Sequence, residues 1–357
     1  LRLRAGSPAI DVGDDISGAS VNTTTTDLSG YPRFVDGPDT TNSINTATID
    51  LGAHEQQGVL YVDDDVVGGA DDGTSWANAY TDLQDALDAA SNGQEIRIAE
   101  GTYLPTLARD ISDPRTVSFT LDQDLLIFGG YQNEGTDYAP ETYLTILSGD
   151  IGTQGDNTDN AYRPVTIDDG DDSTFQNILI DGLTTIAGYA DTNDGNRNHF
   201  GGGIFSRENL TLNHVSLTNN SALVGGAGFL SLGTYQITDC TFSANTSSGF
   251  NGGGAIYLAS NASLTLENSQ FTDNQTSDSN GDGGAIRVTA SATLTASNCL
   301  FQDNFAQDNG GAIYNQATHP PVFDNCQFIG NSASDWGGGI YNSSSSPSLT
   351  NCSFQGN

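Results

Sequence analysis

The chain has 357 residues, with 45 acidic side chains against 10 basic ones, a formal net charge of −35 and no methionine. A field of that sign and size repels nucleic acid and anionic lipid, and it invites divalent cations or a saline medium. No apolar run approaches the ~18 residues that a membrane-spanning helix requires.

Taken in order, 1–58 is a polar, turn-rich segment with two short expected strands, in which Ser7-Pro8-Ala9-Ile10-Asp11, Asp27-Leu28-Ser29-Gly30-Tyr31-Pro32-Arg33 and Asp50-Leu51-Gly52-Ala53-His54-Glu55 stand out. With no initiator and no charged-then-apolar leader, the expectation is a processed chain, a fragment or one unit of something longer. The stretch 59–105 is expected to cap a core. Leu60-Tyr61-Val62-Asp63 is a strand, and 81–90 places Leu83, Ala86, Leu87 and Ala90 on one face of a helix that stops at Asn92-Gly93. The alternation from Glu95 to Tyr103 predicts one continuous strand. From 106 to 200 the expected strands are 118–121, 125–128, 145–147, 165–167 and 178–186, separated by loops dense in Asp, Asn and Gly, where binding sites tend to grow.

The segment 201–357 repeats itself six times. Lines open on Gly-Gly phrases such as Gly253-Gly254-Ala255-Ile256, Gly283-Gly284-Ala285-Ile286 and Gly310-Gly311-Ala312-Ile313. They close on Phe-x-x-Asn, as in Phe242/Asn245, Phe271/Asn274, Phe301/Asn304, Phe328/Asn331 and Phe354/Asn357. One line departs, with Gly228 in an aliphatic slot, and another carries Leu217 for Phe. A repeat of that length cannot bury its own apolar face, so the repeats must stack into a solenoid. Alternation within segments of three to five residues is strand periodicity, and no line holds room for a helix. The parity of inward residues shifts at His214, Asp239, Asn268, Asn298, Asn325 and Asn351. A corner belongs there, since Asn tolerates left-handed backbone and bonds to nearby main chain. Three short strands per turn, with Asn and Gly corners, predict an all-β fold: a right-handed parallel β-helix with one short N-terminal capping helix.

The paired motifs GGAIY and FxxN resemble the repeats of polymorphic outer-membrane-protein-type β-helices over the last 157 residues. The 1–58 phrases resemble the end of a preceding module in such proteins, and 59–105 resembles a module's start. The resemblance implies a bacterial extracellular or cell-surface protein with a structural or adhesive role: a spacer, a matrix component or a head-to-tail filament unit. Its implied partners are neighbouring modules, its own copies, or a polysaccharide or cell surface.

Four residue sets carry the candidate chemistry. Cys240, Cys299, Cys326 and Cys352 share one column with Val215 and Ser269. Stacking holds their Cβ atoms about one strand spacing (~4.8 Å) apart, too far for a disulfide, so a buried thiol ladder is expected. Asp278, Asn280 and Asp282 in Asp278-Ser279-Asn280-Gly281-Asp282-Gly283 alternate oxygen ligands as a Ca²⁺ loop does, although Thr289 stands where an EF-hand needs Glu. Arg287 follows closely, but its parity between Ile286 and Val288 predicts an outward, solvated position. Tyr257, Tyr314 and Tyr341 share one slot, with Trp336 near the last, and could stack on sugar rings or pack against loops. His54, His199, His214 and His319 are scattered and read as structural. No catalytic residue is assigned. The alternative, a pectate-lyase-like or polygalacturonase-like enzyme, meets Asn157-Thr158-Asp159 and Asp171-Asp172, yet His199 lacks a following Gly and there is no lysine.

Overall fold

The computed structural model describes residues 58–357, apart from 134, 136, 194, 196, 251, 260, 344 and 345. The expected segment 1–58 therefore lies, but for its last residue, outside the described residues. Every paired strand in the coils is parallel and bonds only to its counterparts in the coil before and the coil after. The result is stacked sheets of ten, nine and eight strands, with a narrow fourth sheet of six two-residue strands. This is a parallel β-helix.

The columns anticipated from the repeats are the registers observed. Leu212, Ile237, Leu266, Ala296, Phe323 and Leu349 face one another through the ten-stranded sheet. Leu217, Phe242, Phe271, Phe301, Phe328 and Phe354 do so through the nine-stranded sheet. Successive phenyl rings there stack with centroids 4.6–5.0 Å apart and nearly parallel planes, as offset aromatic pairs prefer. The interior is one continuous cluster running from Val62 to Phe328.

The corners explain the polar columns. His214, Asp239, Asn268, Asn298, Asn325 and Asn351 all have φ between 49° and 54°, the left-handed region where Asn and Asp are least strained. A second corner, not anticipated, lies just before the closing asparagine of each repeat, where Asn219, Ala244, Asp273, Asp303, Gly330 and Gly356 also take positive φ. The closing asparagines then turn inward. Asn220, Asn245, Asn274, Asn304 and Asn331 are all but inaccessible. Each of the last four donates Nδ2–H to a carbonyl one coil back, and each also reaches Oδ1 of the asparagine one coil on. The result is an amide ladder inside the wall.

The cysteine column is a thiol ladder, as expected. All four cysteines are free, and three are buried. Each thiol donates to the carbonyl two residues earlier, at 3.2–3.4 Å, and Ser269 does the same with its hydroxyl at 2.9 Å. Burial pushes the Cys240 thiol up to about 12, which removes it from thiolate chemistry.

Two expectations in the first coils need correction. The helix is Leu83–Ala89, shorter than 81–90, because the Asp82 carboxylate accepts the Gln84 N–H and fixes the start. It lays Leu83, Ala86 and Leu87 over the strands Leu60–Val62 and Phe119–Leu121 at the end of the core. The strand expected from Glu95 to Tyr103 is two, Gln94–Ala99 and Gly101–Tyr103, in different sheets with a corner between them. The expected 178–186 divides likewise, at Gly182 with φ 73°.

Gly228 is the aliphatic slot left unfilled. It pairs with Ile204 and Ile256, has no positive φ, and a Cβ placed on it would meet nothing nearer than 3.9 Å. Gly228→Ala should therefore stabilise the protein, by about 0.4–1 kcal/mol from the stiffer unfolded chain alone. A raised midpoint in urea at unchanged slope checks this.

Candidate binding faces

The outer face of the eight-stranded sheet carries one unbroken column. Phe205, Phe229, Tyr257, Arg287, Tyr314 and Tyr341 are register partners in successive coils. Phe205, Phe229 and Tyr257 stack at 5.4–5.5 Å, and Phe200 lies 4.2 Å over Phe229. The Arg287 guanidinium then sits between two rings, 6.0 Å from Tyr257 and 4.8 Å from Tyr314. Tyr341 follows at 5.5 Å, with the exposed Trp336 stacked 6.1 Å from it. Cations over ring faces gain most where water is excluded. Arg287 does point away from the coil interior, as its parity requires, but its expected solvation is wrong. Its side chain is only 13% exposed, because the tyrosines above and below and the Asp282 carboxylate enclose it. The tyrosine slot thus packs against its own column along most of its length, and only the Tyr341–Trp336 end presents aromatic surface outward.

The expected calcium loop is arranged differently from its sequence pattern. Asp278 Oδ1 accepts the Asn280 N–H at 2.9 Å and, like Asn280, is at the surface. Asp282 is buried, and both of its oxygens have partners. Oδ2 accepts from Arg287 at 2.6 Å, and Oδ1 accepts from the Asn309 side-chain amide at 3.1 Å. Burial raises the Asp282 carboxyl, against the hydrogen bonds from Asn309 and the charge of Arg287. The local motif brings Asp278 and Asn280 together and gives Asp282 to the aromatic–guanidinium column.

A second acidic group, which the sequence reading did not single out, joins Asp168, Asp169 and Glu208, whose carboxylate oxygens lie within 4.8 Å of one another. Its charge is already met in part. Asp168 pairs with Arg197 and Arg207 at 3.0 and 3.5 Å, Arg207 also pairs with Asp172, and Glu208 accepts the Gln176 N–H at 2.9 Å. Burial raises the Glu208 carboxyl. The signal was a pair of adjacent aspartates, but the arginines come from another coil.

The fourth feature is an open groove of about 430 Å³ at the corner between the ten- and nine-stranded sheets, lined by Glu141, Leu144, Thr184, His214, Ser216 and Asp239 among others. His214 Nδ1 lies 2.9 Å from Asp181 Oδ1, which also accepts the Tyr138 hydroxyl at 2.7 Å. Sequence reading placed His214 and Asp239 in the corner column, but not Asp181 beside them.

Stacked parallel coils, Asn and Gly corners and a ladder-filled wall define a parallel β-helix protein. The chain belongs to the right-handed beta helix region family, whose model matches residues 155–357. The pectin methylesterase of Aspergillus niger is a structural neighbour at 15% identity, covering 85% of this chain and 87% of that one, with a TM-score of 0.38. No curated protein sequence matches the chain at a significant level. Among the described residues, no helix is long and apolar enough to cross a membrane.

Proposed function

We propose that this chain is an extracellular structural or adhesive module of a large bacterial surface protein, a rod that works by stiffness and surface display and carries out no catalytic step. The observation that supports this reading is the spending of polar and aromatic side chains on coil-to-coil ladders. The Asn, Phe and thiol columns, and the Arg287-centred outer column, each join a coil to its neighbours, the thiols by a second, longer contact to a carbonyl one coil back. Side chains used in this way stiffen a solenoid. The resemblance of the GGAI and FxxN repeats to polymorphic outer-membrane-protein-type modules points the same way. Partners on this reading are neighbouring modules or further copies, which would meet the rod end to end. A net charge of −35 argues against nucleic acid and anionic membrane. Calcium belongs to the reading as a stabilising cation, with Asp278 and Asn280 offering surface oxygens.

Negative-stain electron microscopy in calcium, and then in excess chelator, tests it. Slender rods joined end to end in calcium and single after chelation are the expected result. Single rods in both would remove calcium-linked association, and globular particles would overturn the rod itself. The second reading is polysaccharide binding, favoured by the outward aromatic surface at Trp336 and Tyr341. Retardation of the protein in gels cast with neutral polysaccharide, lost in Trp336→Ala, would establish it.

A further inference from the structure

We infer that His214 and Asp239 form a binding site for a first-row transition metal ion, with Asp181 as the positioning residue. The three come from consecutive coils: Asp181 ends the strand Asn177–Asp181, and His214 and Asp239 follow the strands Asn209–Asn213 and Thr234–Thr238.

Three observations carry the site. His214 is the one member of its corner column that is neither Asn nor Asp, and it bears the same left-handed φ of 49°. Its hydrogen bonding then fixes the tautomer. Asp181 Oδ1 already receives the Tyr138 hydroxyl, and a carboxylate only accepts, so Nδ1 of His214 carries the proton. The other ring nitrogen, Nε2, faces Asp239 Oδ2, 4.0 Å away. The two atoms stand beyond hydrogen-bond distance on either side of a space in which one cation could take both as ligands. A carboxylate on the far nitrogen is also the usual way a ligating histidine is oriented and made more basic.

The chemistry selects the ion. An imidazole nitrogen beside a carboxylate suits Zn²⁺, Cu²⁺ or Ni²⁺, whereas Ca²⁺ and Mg²⁺ prefer oxygen alone. Zn²⁺ takes nitrogen and oxygen donors at ~2.0–2.2 Å, so a small rotation of the 44%-exposed Asp239 side chain completes the pair. The adjoining groove leaves the other coordination positions to water or to an oxygen of a bound ligand, and Glu141 on its wall adds negative charge. The site is independent of the rod reading above.

Calorimetric titration of the full chain with ZnCl₂, in a Cys352→Ser background so that the partly exposed thiol does not compete, tests the assignment. One site is expected, weakening on acidification because a proton competes for Nε2. The His214→Asn variant should fold as the parent does, since Asn268 and Asn298 hold the same corner, and should lose at least tenfold in affinity. Asp181→Asn should weaken binding about 10- to 100-fold. In that variant the ¹⁵N shifts of His214 should report a mixed tautomer without metal that returns to a single Nδ1–H form at saturating Zn²⁺, a metal-linked change that a merely structural role would not produce. No Zn²⁺ binding by the parent, or equal binding by His214→Asn, overturns the proposal and assigns any uptake to the acidic surface or to His54 and His319.

Discussion

Replacing Asn304 with Ala is expected to lower stability by about 3–5 kcal/mol, because a buried group left unsatisfied costs about 1–3 kcal/mol and more than one is affected. The side chain has four bonds. Its Oδ1 accepts the backbone and side-chain N–H groups of Asn274, both at 3.0 Å, and its Nδ2 donates to the Phe271 carbonyl and to Asn331 Oδ1, both at 2.9 Å. Alanine leaves the Asn274 backbone N–H with no acceptor in a wall that excludes water. It also removes one bond each from the Phe271 carbonyl, the Asn274 amide and Asn331. Asn304→Asp separates this account from simple loss of volume. The shape is kept, but a carboxylate oxygen would replace the donor facing two acceptors, so the charged form is disfavoured and the carboxyl's folded-state pKa rises above its unfolded value. For a group shifted in that direction, the loss is full above the folded pKa and is partly recovered as pH falls and the carboxyl gains a proton it can donate. Denaturant melts at neutral and acidic pH check both variants. An Ala variant losing less than ~1 kcal/mol would show that water or relaxed backbone replaces the ladder.

That ladder also marks where sequence reading stops. The corner at Asn268 and Asn298 was legible because left-handed tolerance belongs to the residue itself. The inward role of Asn304 was not, because a lone Asn after a strand is ordinarily a surface turn residue. Only the identical residues one coil above and below give its amide partners and make its burial tolerable. Arg287 fails for the same reason. Parity along its own strand gave its direction, while its environment is set by Tyr257 and Tyr314, thirty and twenty-seven positions away. The Asp278–Asp282 loop, read alone, offers three oxygens in calcium order, yet Asn309 in the next coil and Arg287 take the third. The His214 groove needs three coils before it exists. In a solenoid the fold is periodic and so can be read from one repeat compared with the next. Sites arise where unlike repeats meet, and local patterns carry little of that.

Gly284→Ala should be almost as damaging as the loss of Asn304, at about 2–4 kcal/mol, above the usual cost of an added core methyl because the obstacle is main chain. Gly284 has no positive φ, so conformational freedom is not the reason for it. Space is. A Cβ there would stand 2.1 Å from the Gly311 carbonyl oxygen and 2.6 Å from the Phe305 carbonyl carbon, and Gly254 and Gly311 repeat the same approach to the coil beyond. Backbone cannot swing aside as a side chain would. Opening the coils at this corner would stretch the Asn274–Asn304 bonds at 3.0 Å and part the Phe271–Phe301 stack at 5.0 Å, since all of these set one common spacing. The strain therefore spreads into columns the substitution never touches, and cooperativity should fall along with stability. A decreased denaturant slope, together with faster exchange of the Asn274 amide, is the expected signature. Gly228→Ala supplies the contrast, since the same methyl added two coils earlier meets nothing nearer than 3.9 Å and should raise the midpoint. Equal effects from the two substitutions would mean that close approach between coils does not govern the Gly-Gly phrase, and that its second glycine serves the turn alone.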